Sequence, residues 1–124
     1  MELEALLKDL RSVKGYVASG VATFTGELLA GDSVDPNLDL ALTAAMTNDV
    51  LRHAHEGTAK FANSVCEETL IRSRTSWVAM RCTGLQAKAH LHICCVLTSD
   101  GNTALTRMMM EKIAVKAADI VGAK

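Results

Sequence analysis

A chain of 124 residues, 49% of them hydrophobic, fits one domain over residues 1–124 and has enough apolar material for a core, which excludes disorder. Thirteen basic against fourteen acidic side chains give a net charge of -1, and one Trp, one Tyr and two Phe supply no stacking set, so nothing pulls the chain toward nucleic acid or an anionic membrane. No apolar run is long enough to span a bilayer, and the acid at Glu2 and Glu4 sits where a secretion signal carries base. We therefore expect a cytoplasmic protein in which Cys66, Cys82, Cys94 and Cys95 are reduced thiols.

Residues Glu2 to Val13 read as a short amphipathic helix with Leu3, Leu6, Leu7 and Leu10 on one face, stopped by Gly15. Tyr16 to Phe24 and Glu27 to Gly31 read as a strand pair joined by a tight turn at Thr25-Gly26. Asp35-Pro36 has the chemistry of a helix start, with Asp as cap and Pro at the first helical position. The helix it opens runs toward Val65 with only Gly57 to weaken it. At 1.5 Å per residue that run is roughly 40 Å long, more than the roughly 35 Å breadth of a domain this size. It must therefore break, for instance at Gly57, or lie along an edge shared with another subunit. Small Ala41 and Ala44 allow a neighbouring helix to come close.

Val65 to Arg72, Ser76 to Cys82 and Ala89 to Thr98 read as three further strands, the last becoming wholly apolar as a central strand does. Adjacent Cys94 and Cys95 are expected on opposite faces of it. Asn102 or Thr103 caps a last helix whose apolar stripe is read as Leu105, Met108, Met109, Ile113, Ala117, Ile120 and Val121, ended by Gly122. The order is α-β-β-α-β-β-β-α. Hairpin-connected strands make this an α+β fold, a five-stranded antiparallel sheet with helices on both faces.

Chemistry-bearing patterns are sparse. There is no Gly-x-Ser-x-Gly elbow, no phosphate-binding Gly-x-x-x-x-Gly-Lys loop and no Cys-x-x-Cys, so no catalytic residues are assigned and the chain is read as a non-enzyme. His90, His92 and Cys94 fall at i, i+2 and i+4 on one strand face, a spacing that can hold zinc. The plainer reading is a sheet face packed under a helix, and no metal or other cofactor is expected. His53 and His55 are two apart on a helix, face away from each other and add nothing to that set. The polar side of the long helix, with Asn48, Asp49, Arg52, His53, Glu56 and Lys60, is the candidate partner surface against the alternative of an ordinary solvated face.

The ordered set of three groups resembles the roadblock/LC7 family, small domains that accompany Ras-like GTPases. The first group is Leu10-x-x-Val13-Lys14-Gly15-Tyr16-Val17 followed by Phe24-Thr25-Gly26-Glu27-Leu28-Leu29-Ala30. The second is the Ala- and Leu-rich helix from Pro36. The third is the exit from the last strand, Leu97-Thr98-Ser99-Asp100-Gly101-Asn102-Thr103-Ala104-Leu105-Thr106-Arg107. Thr25 departs from the acidic residue common at its position. The resemblance covers essentially the whole chain. It implies that the first and last helices share one sheet face and the long helix takes the other. It also implies a homodimer, or a heterodimer with a relative, in which long helices pair and sheet edges meet. The residues this assigns to the dimer interface are Ala41, Leu42, Ala45, Met46, Leu70 and Ile71. The implied function is a scaffold or regulator of a small Ras-like GTPase. Arg52, Arg72, Arg74 and Arg107 are arginine-finger candidates with nothing to single one out. A ligand or metal sensor and a purely structural dimerisation module are the alternatives.

Overall fold

Residues 2–123 are described by the computed structural model. Helix α1 (Glu2–Lys8) tightens into a 3-10 turn (Asp9–Ser12) rather than running on to Val13, and it buries Leu3, Leu7 and, from the 3-10 turn, Leu10. Strands β1 (Tyr16–Thr23) and β2 (Leu28–Ser33) form the expected hairpin. Thr23 N–H donates to the Glu27 carbonyl at 2.9 Å, and Gly26 supplies the positive φ of +99° that the turn requires. Helix α2 (Leu40–Ala62) follows, then β3 (Glu68–Arg72), β4 (Ser76–Cys82), β5 (Leu91–Thr98) and α3 (Thr103–Gly122). Asn102 caps α3 by accepting from Leu105 N–H.

The five strands form one antiparallel sheet in the order β2-β1-β5-β4-β3, so β5 is central and β3 is an edge. Alternation along the strands divides the interior in two. One core joins Leu3, Leu7, Leu10, Ile93, Cys95, Leu97, Met110 and Ile113 beneath α1 and α3. The other joins Leu51 of α2 to Met80, Cys82 and Cys94. Cys94 and Cys95 thus enter opposite cores, and the architecture agrees with that expected from the sequence. No helix among the described residues is long and apolar enough to cross a membrane.

Three local expectations are corrected. The long helix starts at Leu40, not at Asp35-Pro36. The Asp35 carboxylate instead accepts from Asn37 N–H at 2.9 Å, closing a turn around the proline, and Asp39 caps the helix by accepting from Leu42 N–H at 3.0 Å. The helix also runs unbroken through Gly57 and ends only where Asn63 turns left-handed at φ 50°. Its 23 residues make it about 34 Å long. The stripe of α3 is corrected in its first turns: Ile113 and Ala117 are buried and Met109, Ile120 and Val121 pack against the core as expected, but Met108 is 61% exposed, Leu105 is exposed, and Met110, Ala114 and Ala118 are buried with Ile113 and Ala117.

Candidate functional site

Two surfaces of α2 carry the side chains of interest. The outer face exposes apolar groups in a row, with Leu42 at 58%, Met46 at 59%, Val50 exposed and Phe61 at 81%. Ala41 is exposed beside them and Ala45 is half-buried. A helix that buries Ala44, Thr47, Asn48 and Leu51 on its inner side has no need of a second apolar stripe to fold. At the sheet edge Leu70 pairs with Ala79 and Ile71 with Val78, so the two project to opposite faces, and both are partly exposed. The residues assigned from the resemblance to a dimer interface are therefore split between the helix and the two sides of the free edge.

Of the candidate partner residues, Asp49, Arg52, His53, Glu56 and Lys60 are exposed, and His53 Nδ1 lies 3.7 Å from Glu56 Oε2. Asn48 does not belong to that surface. It is 2% exposed, one helical turn from buried Leu51 and pointing at the sheet. Its amide nitrogen donates to the Phe24 carbonyl at 3.2 Å, and its oxygen meets His92 Nδ1. Among the arginines, Arg107 is tied to Glu68, which Arg81 also reaches at 3.3 Å, and Arg72 lies over the Trp77 ring. Arg52 and Arg74 are exposed.

The inner face of α2 brings together residues that the sequence left apart. His55 projects toward the start of β5, where His90 and His92 stand, and Cys82 at the end of β4 is directly opposite His92 in the register. One ligand atom from each of these four residues lies within 4.8 Å of the others. The rings pack tightly: His90 is 5.2 Å from His92 and stacks on Phe24 at 5.0 Å, and His55 is 5.8 Å from His92. Cys94, two pairs further along opposite Met80, stays in the apolar core. The strand-face trio His90, His92 and Cys94 is thus corrected to a set drawn from α2, β4 and β5, and His55, set aside on helical spacing to His53, is a member of it. Its partners lie on the sheet, which helical periodicity does not report.

Burial disfavours the charged form of all three imidazoles. Burial first, then the neighbouring histidines, pushes His92 down to about 4, and burial lowers His55 and His90 in the same direction. Burial pushes the Cys82 thiol up. The Asn48 amide fixes the His92 tautomer. A carbonyl only accepts, so the amide nitrogen must face Phe24 and the amide oxygen must face His92, whose Nδ1 therefore carries the proton. Nε2 of His92 is left as a bare lone pair. Nε2 of His55, His90 and His92 are all buried without a hydrogen-bond partner.

The sequence matches no family model and no curated protein. Solved structures do match in fold. The Roadblock/LC7 domain from Streptomyces avermitilis is similar over 95% of this chain and 96% of its own, with a TM-score of 0.83 at 10% identity. Myxococcus xanthus MglB covers 100% of this chain with 98% of its own, at TM-score 0.79 and 15% identity. MglC from the same organism covers 96% with 98%, at TM-score 0.67 and 24% identity. The strand order and helix placement, with near-complete mutual coverage, show that the chain has the roadblock/LC7 fold.

Proposed function

We propose that this roadblock/LC7-type chain is a non-enzymatic dimeric regulator or scaffold that binds a small Ras-like GTPase. The observation that carries the reading is the row Leu42, Met46, Val50 and Phe61, a large apolar surface left outside a helix already anchored on its inner side. The open edge of β3 adds unpaired backbone groups with Leu70 and Ile71 beside them. A second copy of the chain covers both features at once, with long helices paired and edges adjoining. Association is a property of a structural neighbour too, an MglB described with a tetrameric arrangement. Asp49, Arg52, Glu56 and Lys60 then flank the dimer seam as a mixed-charge surface for the GTPase.

In this arrangement the dimer acts on nucleotide hydrolysis by positioning the GTPase's own loops, since Arg107 and Arg72 are engaged within the fold and nothing singles out exposed Arg52 or Arg74 as a finger. The test is binding of the chain to Ras-like GTPases loaded with GDP or with a non-hydrolysable GTP analogue. Preference for one nucleotide state is the expected result. Equal binding of both states supports a structural dimerisation module instead, and no binding overturns the partner. Single replacement of Arg52, Arg72, Arg74 or Arg107 leaves any stimulation of hydrolysis largely intact. A loss on the order of a thousandfold from one of them rejects the positioning mechanism.

A further inference from the structure

Buried polar atoms in folded proteins are almost always paired, and each exception needs a cause. Here three exceptions converge: the Nε2 atoms of His55, His90 and His92. The atoms are not scattered: Cys82 Sγ lies within the same small volume as the three rings, and the tautomer of His92 leaves its Nε2 as an acceptor facing no proton. Protonating the rings is no remedy, since three imidazolium groups within one cluster repel and each loses its hydration. One cation can be met by a ligand atom from each of the four residues at once.

We propose that His55, Cys82, His90 and His92 form a zinc site that fastens α2 to β4 and β5. The donor set selects the metal. It offers nitrogen and sulfur with no carboxylate, which suits zinc and not calcium or magnesium. With Zn–N near 2.0–2.1 Å and Zn–S near 2.3 Å, a tetrahedral shell sets its ligand atoms roughly 3.3–3.8 Å apart. The four ligand atoms already lie within 4.8 Å of one another, close to that spacing. Asn48 supplies the supporting contact that ligating histidines characteristically have: it accepts the Nδ1 proton of His92 and so aims Nε2 at the centre. On binding, Cys82 gives its thiol proton to solvent and coordinates as thiolate, and the three imidazoles remain neutral. A solvent-open groove bordered by His55, Glu56, Val65, Leu85 and His90 gives the ion its path.

The site is complete within one chain, so its test is independent of dimerisation or of any GTPase. Chelator-stripped protein is titrated with Zn²⁺ in competition with a chromogenic chelator, and the folding of each variant is checked by circular dichroism. One zinc per chain is expected, with at least about a hundredfold weaker binding in Cys82→Ser and in His55→Ala. His55 lies on a helix and is partly exposed, so alanine there preserves the fold. Cobalt replaces zinc in a second measurement that needs no variant. Tetrahedral visible bands with a thiolate-to-cobalt charge-transfer band are expected in the wild type, and Cys82→Ser loses the charge-transfer band. The proposal is overturned if stripped wild-type protein binds zinc no better than Cys82→Ser, or if its cobalt complex is octahedral and lacks the thiolate band.

Discussion

Asn48 joins three elements through one amide, linking α2 to the Phe24 carbonyl after β1 and to His92 on β5. Replacing it by alanine strands a buried N–H and a carbonyl, at a cost of about 1–3 kcal/mol. It also frees the His92 ring to change tautomer, so zinc binding should weaken by about ten- to a hundredfold. Urea melts with and without zinc separate the two effects. Unchanged zinc affinity in a folded Asn48→Ala protein would show that His92 is oriented by something else. Asp32 offers a second test. Arg11 donates to its carboxylate at 2.6 and 2.8 Å and Tyr16 at 2.7 Å, tying the 3-10 turn to β2. The Arg11 hydrogen bonds above all hold this carboxyl below its ordinary value. An unfolded chain then takes up the proton first, so the stabilisation is full above the unfolded value, about pH 4, and is lost as pH falls through the folded one. Between about pH 6 and about pH 3 the urea midpoint of the wild type should fall further than that of Asp32→Asn. Equal slopes would remove Asp32 from acid stability. Neither Asn48 nor Asp32 was legible as a buried hub. Their residue types favour surfaces, and only the register of a sheet not yet built brings their partners within reach.

At the scale of the element, α2 shows what local chemistry does and does not decide. That a helix lies between the hairpin and the third strand was plain from its composition. Its start was not, because Asp35 and Asp39 are both competent caps and Pro36 favours either a first helical turn or a separate bend. The side-chain bond from Asn37 N–H to Asp35 closes the bend and leaves the cap to Asp39. The length argument left two alternatives, a break such as one at Gly57 or a helix lying along an edge shared with another subunit, and the unbroken helix removes the first. Gly57 is therefore an ordinary helical position, and a Cβ there meets only Phe61 Cε2, at 3.6 Å. Gly57→Ala should stabilise the chain by about 0.5–1 kcal/mol, read as a higher urea midpoint. Destabilisation would mean that the glycine serves a close approach by a partner rather than the helix itself. The first turns of the α3 stripe differ from expectation because periodicity alone cannot choose among neighbouring apolar residues. Met108, Met109 and Met110 are equally apolar, and only contact with α1 and the sheet selects Met110 for the interior.

The whole molecule has two ways of holding α2, and they are separable. Its inner side meets the sheet through Leu51 and the histidine cluster, and its outer side presents Leu42, Met46, Val50 and Phe61. Element order, antiparallel sheet and two-faced helix cover could be read along the chain because each rests on local periodicity. The pairing of Cys82 with His92 and the approach of His55 rest on contacts between distant segments and could not. If the outer row is a dimer seam, each of its larger side chains gains about 1.5–3 kcal/mol on burial. A two-fold seam counts every substitution twice. Met46→Asp removes that gain and places a carboxylate in apolar surroundings on both protomers, so the dimer dissociation constant should rise by at least about a hundredfold. Sedimentation at micromolar concentration should then show a dimer for the wild type and a monomer for Met46→Asp. Because Met46 points away from the sheet, the variant should keep its circular dichroism and the same zinc per chain. A monomeric wild type would leave the apolar row for a different partner. A Met46→Asp dimer would move the seam off α2 and onto the β3 edge, where Leu70 and Ile71 become the next positions to change.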